Sequence, residues 1–244
     1  MKKQILILLS MFLCLTNSFS QSKNTQKIPS FLFQFKSGAS IPLLDLAGNW
    51  PSDMSNNPIP FFMKTPGFNF GITSKLYPAK SNFGITANIS VYLFKTSNLK
   101  DTVFPTGQRL FNSYSLNLLS GAVGFEYRFL SKSVIPFIGL EFSTNYLWGD
   151  ANSNGNSLTM KSTERYGINS NAGIDFKINK KFGVVIGGIF SIFNIAGRKT
   201  NEYSTSGDYS IVDAPDGGSK GRTMASINLY IGLTYYSQYA KVKK

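Results

Sequence analysis

An all-β fold is predicted for this chain: an eight-stranded antiparallel transmembrane β-barrel with periplasmic termini and four long extracellular loops. Three features of the sequence predict it. Apolar residues recur at every second position over segments of ten residues or more, which is the period of a strand. The positions between them hold Gly, Ser, Thr, Asn and a few charges. The connections between these segments alternate short and long.

The 244 residues suffice for one domain or one large barrel. Residues 1–20 read as a signal peptide. Met1-Lys2-Lys3 is a basic start, residues 5–15 are apolar, and Ser18-Phe19-Ser20 supplies small residues for cleavage before Gln21. The single cysteine, Cys14, lies inside this leader, so the mature chain is expected to lack disulfides. A periplasmic segment (21–29), the barrel (30–238) and a basic periplasmic tail (239–244) follow. The longest later apolar stretch, residues 183–193, falls short of the ~18 residues of a transmembrane helix.

Eight strands are predicted: 30–42, 66–77, 83–95, 113–129, 134–149, 165–178, 182–196 and 223–237. In the second, Phe68, Phe70, Ile72 and Leu76 share one face, with Gly67, Asn69, Gly71, Thr73 and Lys75 on the other. The third sets Phe83, Ile85, Ala87, Ile89, Val91 and Leu93 against Gly84, Thr86, Asn88 and Ser90. The sixth and eighth repeat the pattern. In the seventh both phases are apolar, because Val185, Ile189 and Phe193 interleave with Val184, Ile186, Phe190 and Ile192; it is assigned from its neighbours. Short turns at 78–82, 130–133 and 179–181 alternate with long polar loops at 43–65, 96–112, 150–164 and 197–222. An even strand number then leaves both termini on the side of the turns.

The alternation alone would also suit a soluble barrel with its faces exchanged. Glycine decides between them: Gly38, Gly71, Gly84, Gly124, Gly139, Gly173 and Gly232 all fall on the polar face. A solvated face gains nothing from glycine, whereas the lumen of a narrow barrel needs small residues. On the apolar face Phe31, Phe33, Phe125, Tyr127, Phe129, Tyr146, Trp148 and Tyr166 lie near strand ends, as two membrane-interface girdles require.

The chain resembles the small OmpA/OmpX/OmpW-type outer-membrane barrels, especially the "porin family" barrel proteins of Bacteroidetes-like bacteria. Phe19-Ser20-Gln21, Gly38-Ala39-Ser40-Ile41-Pro42, Gly67-Phe68-Asn69-Phe70-Gly71 and Gly124-Phe125-Glu126-Tyr127 carry the resemblance, which spans the mature chain. It implies an outer-membrane location, and its OmpW side implies a narrow conduit for small or apolar solutes.

Composition restricts the chemistry. The chain has no His, the usual general base of outer-membrane barrel enzymes, and no Cys beyond the leader. A non-enzymatic protein without catalytic, cofactor-binding or metal-binding residues is therefore expected. Asp213, Asp216, Gly217 and Gly218 lack the spacing of a calcium loop and read as turn chemistry. The formal charge is +13, from 25 basic and 12 acidic residues, but no Lys/Arg-rich run suggests nucleic acid. Lys80, Lys132, Lys180, Lys181, Lys241, Lys243 and Lys244 collect on the turn side, facing anionic lipid headgroups.

Candidate site residues come from a Gly-x-acid-aromatic pattern recurring at Glu126, Glu141 and Asp175. Arg128 and Lys177 share the face of Glu126 and Asp175, and Lys36 and Lys75 lie at similar depth. These seven charges are expected inside the barrel, as a salt-bridged plug or as a gate or ion path. Three functions remain open: a structural or surface-binding barrel acting through its loops, a narrow channel, and an accessory subunit of a secretion or assembly complex. The expected partners are outer-membrane lipids, the outer-membrane assembly machinery and an extracellular ligand or protein that the sequence does not name.

The protein is expected in the outer-membrane fraction with heat-modifiable migration on gels; recovery as a soluble periplasmic protein contradicts the topology. A cysteine at Asn154 or Gly207 should react with an impermeant thiol reagent on whole cells while one at Lys132 does not. The reverse pattern inverts the orientation.

Overall fold

The computed structural model describes residues 31–47, 63, 65–78, 81–97, 113–129, 133–153, 156–196 and 223–237. The leader, the 21–29 segment, the basic tail and most of the long loops lie outside these residues. Eight strands run in order: β1 (Phe31–Leu44), β2 (Gly67–Leu76), β3 (Phe83–Thr96), β4 (Ser113–Arg128), β5 (Val134–Ser153), β6 (Asn156–Lys177), β7 (Phe182–Ala196) and β8 (Met224–Ser237). Each pairs antiparallel with its sequence neighbours, and β8 pairs back onto β1 to close the barrel.

The register fixes the geometry. The row through Lys75, Thr86, Gly124, Glu141, Asn169, Ser191 and Ser226 returns to β1 at Pro42, whereas Lys75 itself pairs with Leu32. The stagger around the barrel is thus ten residues. Eight strands with that stagger tilt by about 40° and set the backbone on a cylinder of about 8 Å radius. Side chains fill such a lumen.

Burial is inverted relative to a water-soluble protein. Phe35, Phe70, Ile72, Ile89, Val123, Phe125, Phe142, Ile231 and Leu233 face outward and exposed, while Gln34, Thr86, Asn145, Ser226 and Thr234 are fully buried. On β4 the outward residues between Tyr127 and Asn117 are Phe125, Val123, Gly121 and Leu119. At the strand tilt the ten steps from Asn117 to Tyr127 rise about 26 Å, close to the apolar band of outer-membrane barrels. Aromatic rings border the lower edge: Phe83 and Tyr127 lie 4.9 Å apart, Tyr127 and Phe129 5.0 Å, and Phe182 and Tyr235 5.6 Å. Tyr146 and Trp148, 5.7 Å apart, mark the upper edge. A surface with that belt is stable in lipid and not in water.

Six of the eight strands match their predicted bounds to within two residues. The third long loop is the correction: residues 150–164 are largely strand. β5 continues to Ser153 and β6 begins at Asn156, with pairs from Gly149↔Met160 to Ser153↔Asn156. Ser and Asn there read as loop chemistry, yet paired backbone holds them in the sheet. Asn154-Gly155, the strongest short hairpin signal, stands between the two strands and could have revealed this. A bulge between Leu147 and Gly149 places one extra residue on β6. A second between Tyr166 and Ile168 places two extra on β7, and it brings both Phe193 and Asn194 inward.

β1 leaves the sheet at Leu44, whose φ of 54° is left-handed. That conformation costs a non-glycine residue about 1–2 kcal/mol. The following 3-10 turn, Asp45–Ala47, carries Leu46 into the lumen, where its carbonyl accepts a bond from the Met63 amide at 3.0 Å.

Glycine has two different roles here. A Cβ on Gly124 would lie 2.0 Å from the Leu140 carbonyl oxygen and 2.5 Å from the Glu141 Cα, both backbone. A Cβ on Gly121 would meet nothing within 4 Å, because it faces an outer depression beside Ala87, Ile89 and Val123. Gly124→Ala should therefore destabilise by about 1–3 kcal/mol through overpacking. Gly121→Ala should be neutral or stabilise by up to about 1 kcal/mol. Guanidinium unfolding from lipid vesicles, followed by tryptophan fluorescence, checks the pair; equal effects would refute the assigned strand faces.

Candidate functional site: the filled lumen

The turn-side end of the lumen holds a continuous charged layer. The Lys75 ammonium donates to Glu126 Oε2 at 2.5 Å. Arg128 Nε lies 3.4 Å from Glu126 Oε1, and Arg128 Nη2 donates to Asp175 Oδ2 at 3.1 Å. The Tyr77 hydroxyl donates a hydrogen bond to Glu126 Oε1. Two cations and two anions thus form one chain, and all four side chains are buried. Aromatic faces close it further: Lys75 Nζ stands 4.0 Å from the Phe137 ring centre, and the Arg128 guanidinium 4.7 Å from that of Tyr77. These cation–π contacts supply counter-density where no further carboxylate is available.

Local structure places these groups. Lys75, Glu126, Arg128 and Asp175 occupy inward positions on β2, β4 and β6. Gly84, paired with Glu126, makes room for Tyr77: a Cβ there would lie 2.5 Å from the tyrosine ring.

The other three predicted charges do not join by ion pairs. Lys177 Nζ sits 5.4 Å from the centre of the Tyr236 ring. Lys36 Nζ sits 4.9 Å from that of Tyr230. Glu141 accepts from Thr86 Oγ1 at 3.1 Å and from Asn171 Nδ2 at 3.5 Å, with no cation within ion-pair distance among the described residues. The seven charges are therefore one four-membered chain and three separate groups. Tyr77, Phe137 and Tyr236 were missed by the sequence reading. For Tyr77 and Tyr236 the signal was present, since each continues the inward phase of its strand, two residues beyond Lys75 and Thr234.

The loop-side end is different in kind. Tyr92, Phe94, Leu116, Leu118, Leu147 and Phe193 point inward and pack with Leu46 and Met63 into a buried apolar layer. Tyr92 and Phe193 stack edge to face with centres 5.3 Å apart. Among the described residues, no group of three His, Cys, Asp or Glu side chains could hold a metal ion.

Glu126 is bonded to both cations, so its removal leaves two buried positive charges short of a partner. Glu126→Ala should cost about 3–5 kcal/mol, and Glu141→Ala, which loses neutral hydrogen bonds, about 1–3 kcal/mol. The double variant with Lys75→Ala should recover part of the Glu126→Ala loss. Equilibrium unfolding of the four proteins measures this; additive effects of Glu126 and Lys75 would show that their contact carries no energy.

No family model matches the chain, and no curated protein matches its sequence. Among solved structures it is similar to Neisserial surface protein A, with a TM-score of 0.50 and 12% identity over 85% of this chain and 97% of that one. It is also similar to the outer membrane protein OprG from Pseudomonas aeruginosa, with a TM-score of 0.49 and 13% identity over 86% and 98%. At these identities the likeness concerns architecture. The closed eight-strand topology, the apolar exterior and the first of these matches together give one conclusion: the chain has the fold of the small eight-stranded outer-membrane β-barrels.

Proposed function

We propose that this protein is an integral, non-enzymatic barrel of the outer membrane, exported by the leader at residues 1–20, that binds a partner at the cell surface. The observation that carries this reading is the extension of β4, β5 and β6 beyond the upper aromatic edge. There β5 pairs with β4 from Ser113↔Asn152 to Leu116↔Gly149, and with β6 out to Ser153↔Asn156. The five residues Gly149–Ser153 span about 17 Å of strand. Pairing of β6 with β7 stops at Tyr166↔Ala196, so among the described residues no strand covers the outer edge of β6 from Asn156 to Glu164. A sheet edge of that length offers backbone donors and acceptors to an extended peptide.

The channel reading has less support. The lumen is occupied by an ion-paired layer at one end and an apolar layer at the other. In planar bilayers the full-length barrel should give no current steps; well-resolved wild-type conductance would favour a channel. Reconstituted barrel screened against a library of unstructured peptides should yield ligands that bind through the projecting edge. Replacing residues 150–159 with a tight Asn-Gly turn should abolish that binding, and lumen substitutions should not. Ligands that bind the shortened barrel equally well would place recognition elsewhere.

A further inference from the structure

Between the charged layer and the apolar layer the lumen has a third level, built from small polar side chains. The ten-residue stagger sets the relative heights of residues on different strands. Lys36 on β1 and Glu141 on β5 come within about 3 Å of the same height. Three strands lie between them in either direction around the barrel, so they stand on opposite walls. Both are buried, and they are farther apart than the 4 Å of an ion pair.

The surroundings of this pair are unusually rich in unpartnered polar atoms. Gln34 Oε1, Asn88 Nδ2, Ser120 Oγ, Glu141 Oε2, Asn171 Oδ1 and both amide atoms of Asn169 are buried without a protein partner. Every one of these residues points into the lumen from an inward strand position. Native interiors do not leave such a group of donors and acceptors unpaired; ordered water satisfies them where there is room.

We infer that the middle of the lumen is a closed hydrated chamber, in which water bridges Lys36 to Glu141 between two seals of different chemistry. The inference builds on the non-conducting reading above and adds where the lumen is shut. Water fits better than a cation for two reasons. Asn169 needs both a donor and an acceptor, and Asn88 needs an acceptor, which a metal ion is not. A cation beside Glu141 would also face the Lys36 ammonium, whereas a water accepts from the ammonium and donates to the carboxylate. The lower seal is the chain from Lys75 to Asp175 with Tyr77 over it. The upper seal is the apolar layer closed by Leu46 and Met63.

Ser120→Cys tests the chamber, because the Ser120 hydroxyl has no partner to lose. It is made in the full-length barrel with Cys14 replaced by serine, and exposed Asn152→Cys serves as the reference. With both seals intact, a small impermeant methanethiosulfonate should leave Ser120→Cys unlabelled from either side under conditions that fully label Asn152→Cys. Adding Leu46→Asn should open labelling from the loop side only, and adding Tyr77→Ala from the turn side only. Should either variant fail to show heat-modifiable migration, Phe94→Ala and Leu32→Ala replace them. Proton NMR should show water exchange contacts at the side-chain amides of Asn169 and Asn171. Labelling of Ser120→Cys with both seals intact, labelling from both sides after one seal is removed, or absence of the water contacts overturns the chamber. Wild-type current in bilayers overturns instead the non-conducting reading on which it builds.

Discussion

Closure of eight strands with a stagger of ten residues is the constraint on which the rest of this molecule depends. A cylinder of about 8 Å radius has room for side chains but not for bulk water. Each inward group must therefore find its partner among the other strands or in a few enclosed waters. Glycine recurs where inward positions crowd a neighbour, as at Gly124 against Leu140. The same crowding brings Lys75, Glu126, Arg128 and Asp175 from three strands into contact. Lipid outside enforces the complement, because any polar backbone not paired in the sheet would be left in hydrocarbon.

Within that constraint the lumen is layered. Charge is concentrated where aromatic faces and opposite charges can satisfy it, near the turns. Small amides and hydroxyls occupy the middle. Leu116, Leu118 and Phe94 take over near the loops, and the chain after β1 turns back to add Leu46. The left-handed Leu44 allows that reversal, and the burial of Leu46 offsets the local cost.

Most of the fold could be read from the sequence because lipid and lumen impose opposite demands on alternate residues. Phe83 to Leu93 shows this cleanly, and so does Ile227 to Tyr235. The signal weakened where those demands relax. The paired residues 149–153 and 156–160 lie beyond the upper aromatic edge, so polar residues enter both phases and only Leu158 and Met160 keep the alternation. Val185 and Ile189 blurred the seventh strand because they face the lumen against Phe137 and Tyr230. For the site, the inward phase of the charges was legible from spacing alone. Which charges touch was not, because contacts depend on the stagger, which relates residues far apart in sequence such as Lys75 and Glu126 or Arg128 and Asp175.

The surplus residues on β7 next to Tyr166 have a consequence for how such a protein can change over time. They end the pairing of β6 with β7 at a defined height and anchor that point inward, through the bond from Asn145 Nδ2 to the Phe193 carbonyl and from the Met224 amide to Asn194 Oδ1. Among the described residues, the strand pairing beyond that height runs through β4 and β5. Residues can be added to or removed from the β5–β6 tip in cross-strand pairs without altering any contact below the bulge. The surface-exposed part is therefore free to diversify under selection, while the membrane-embedded part keeps its register.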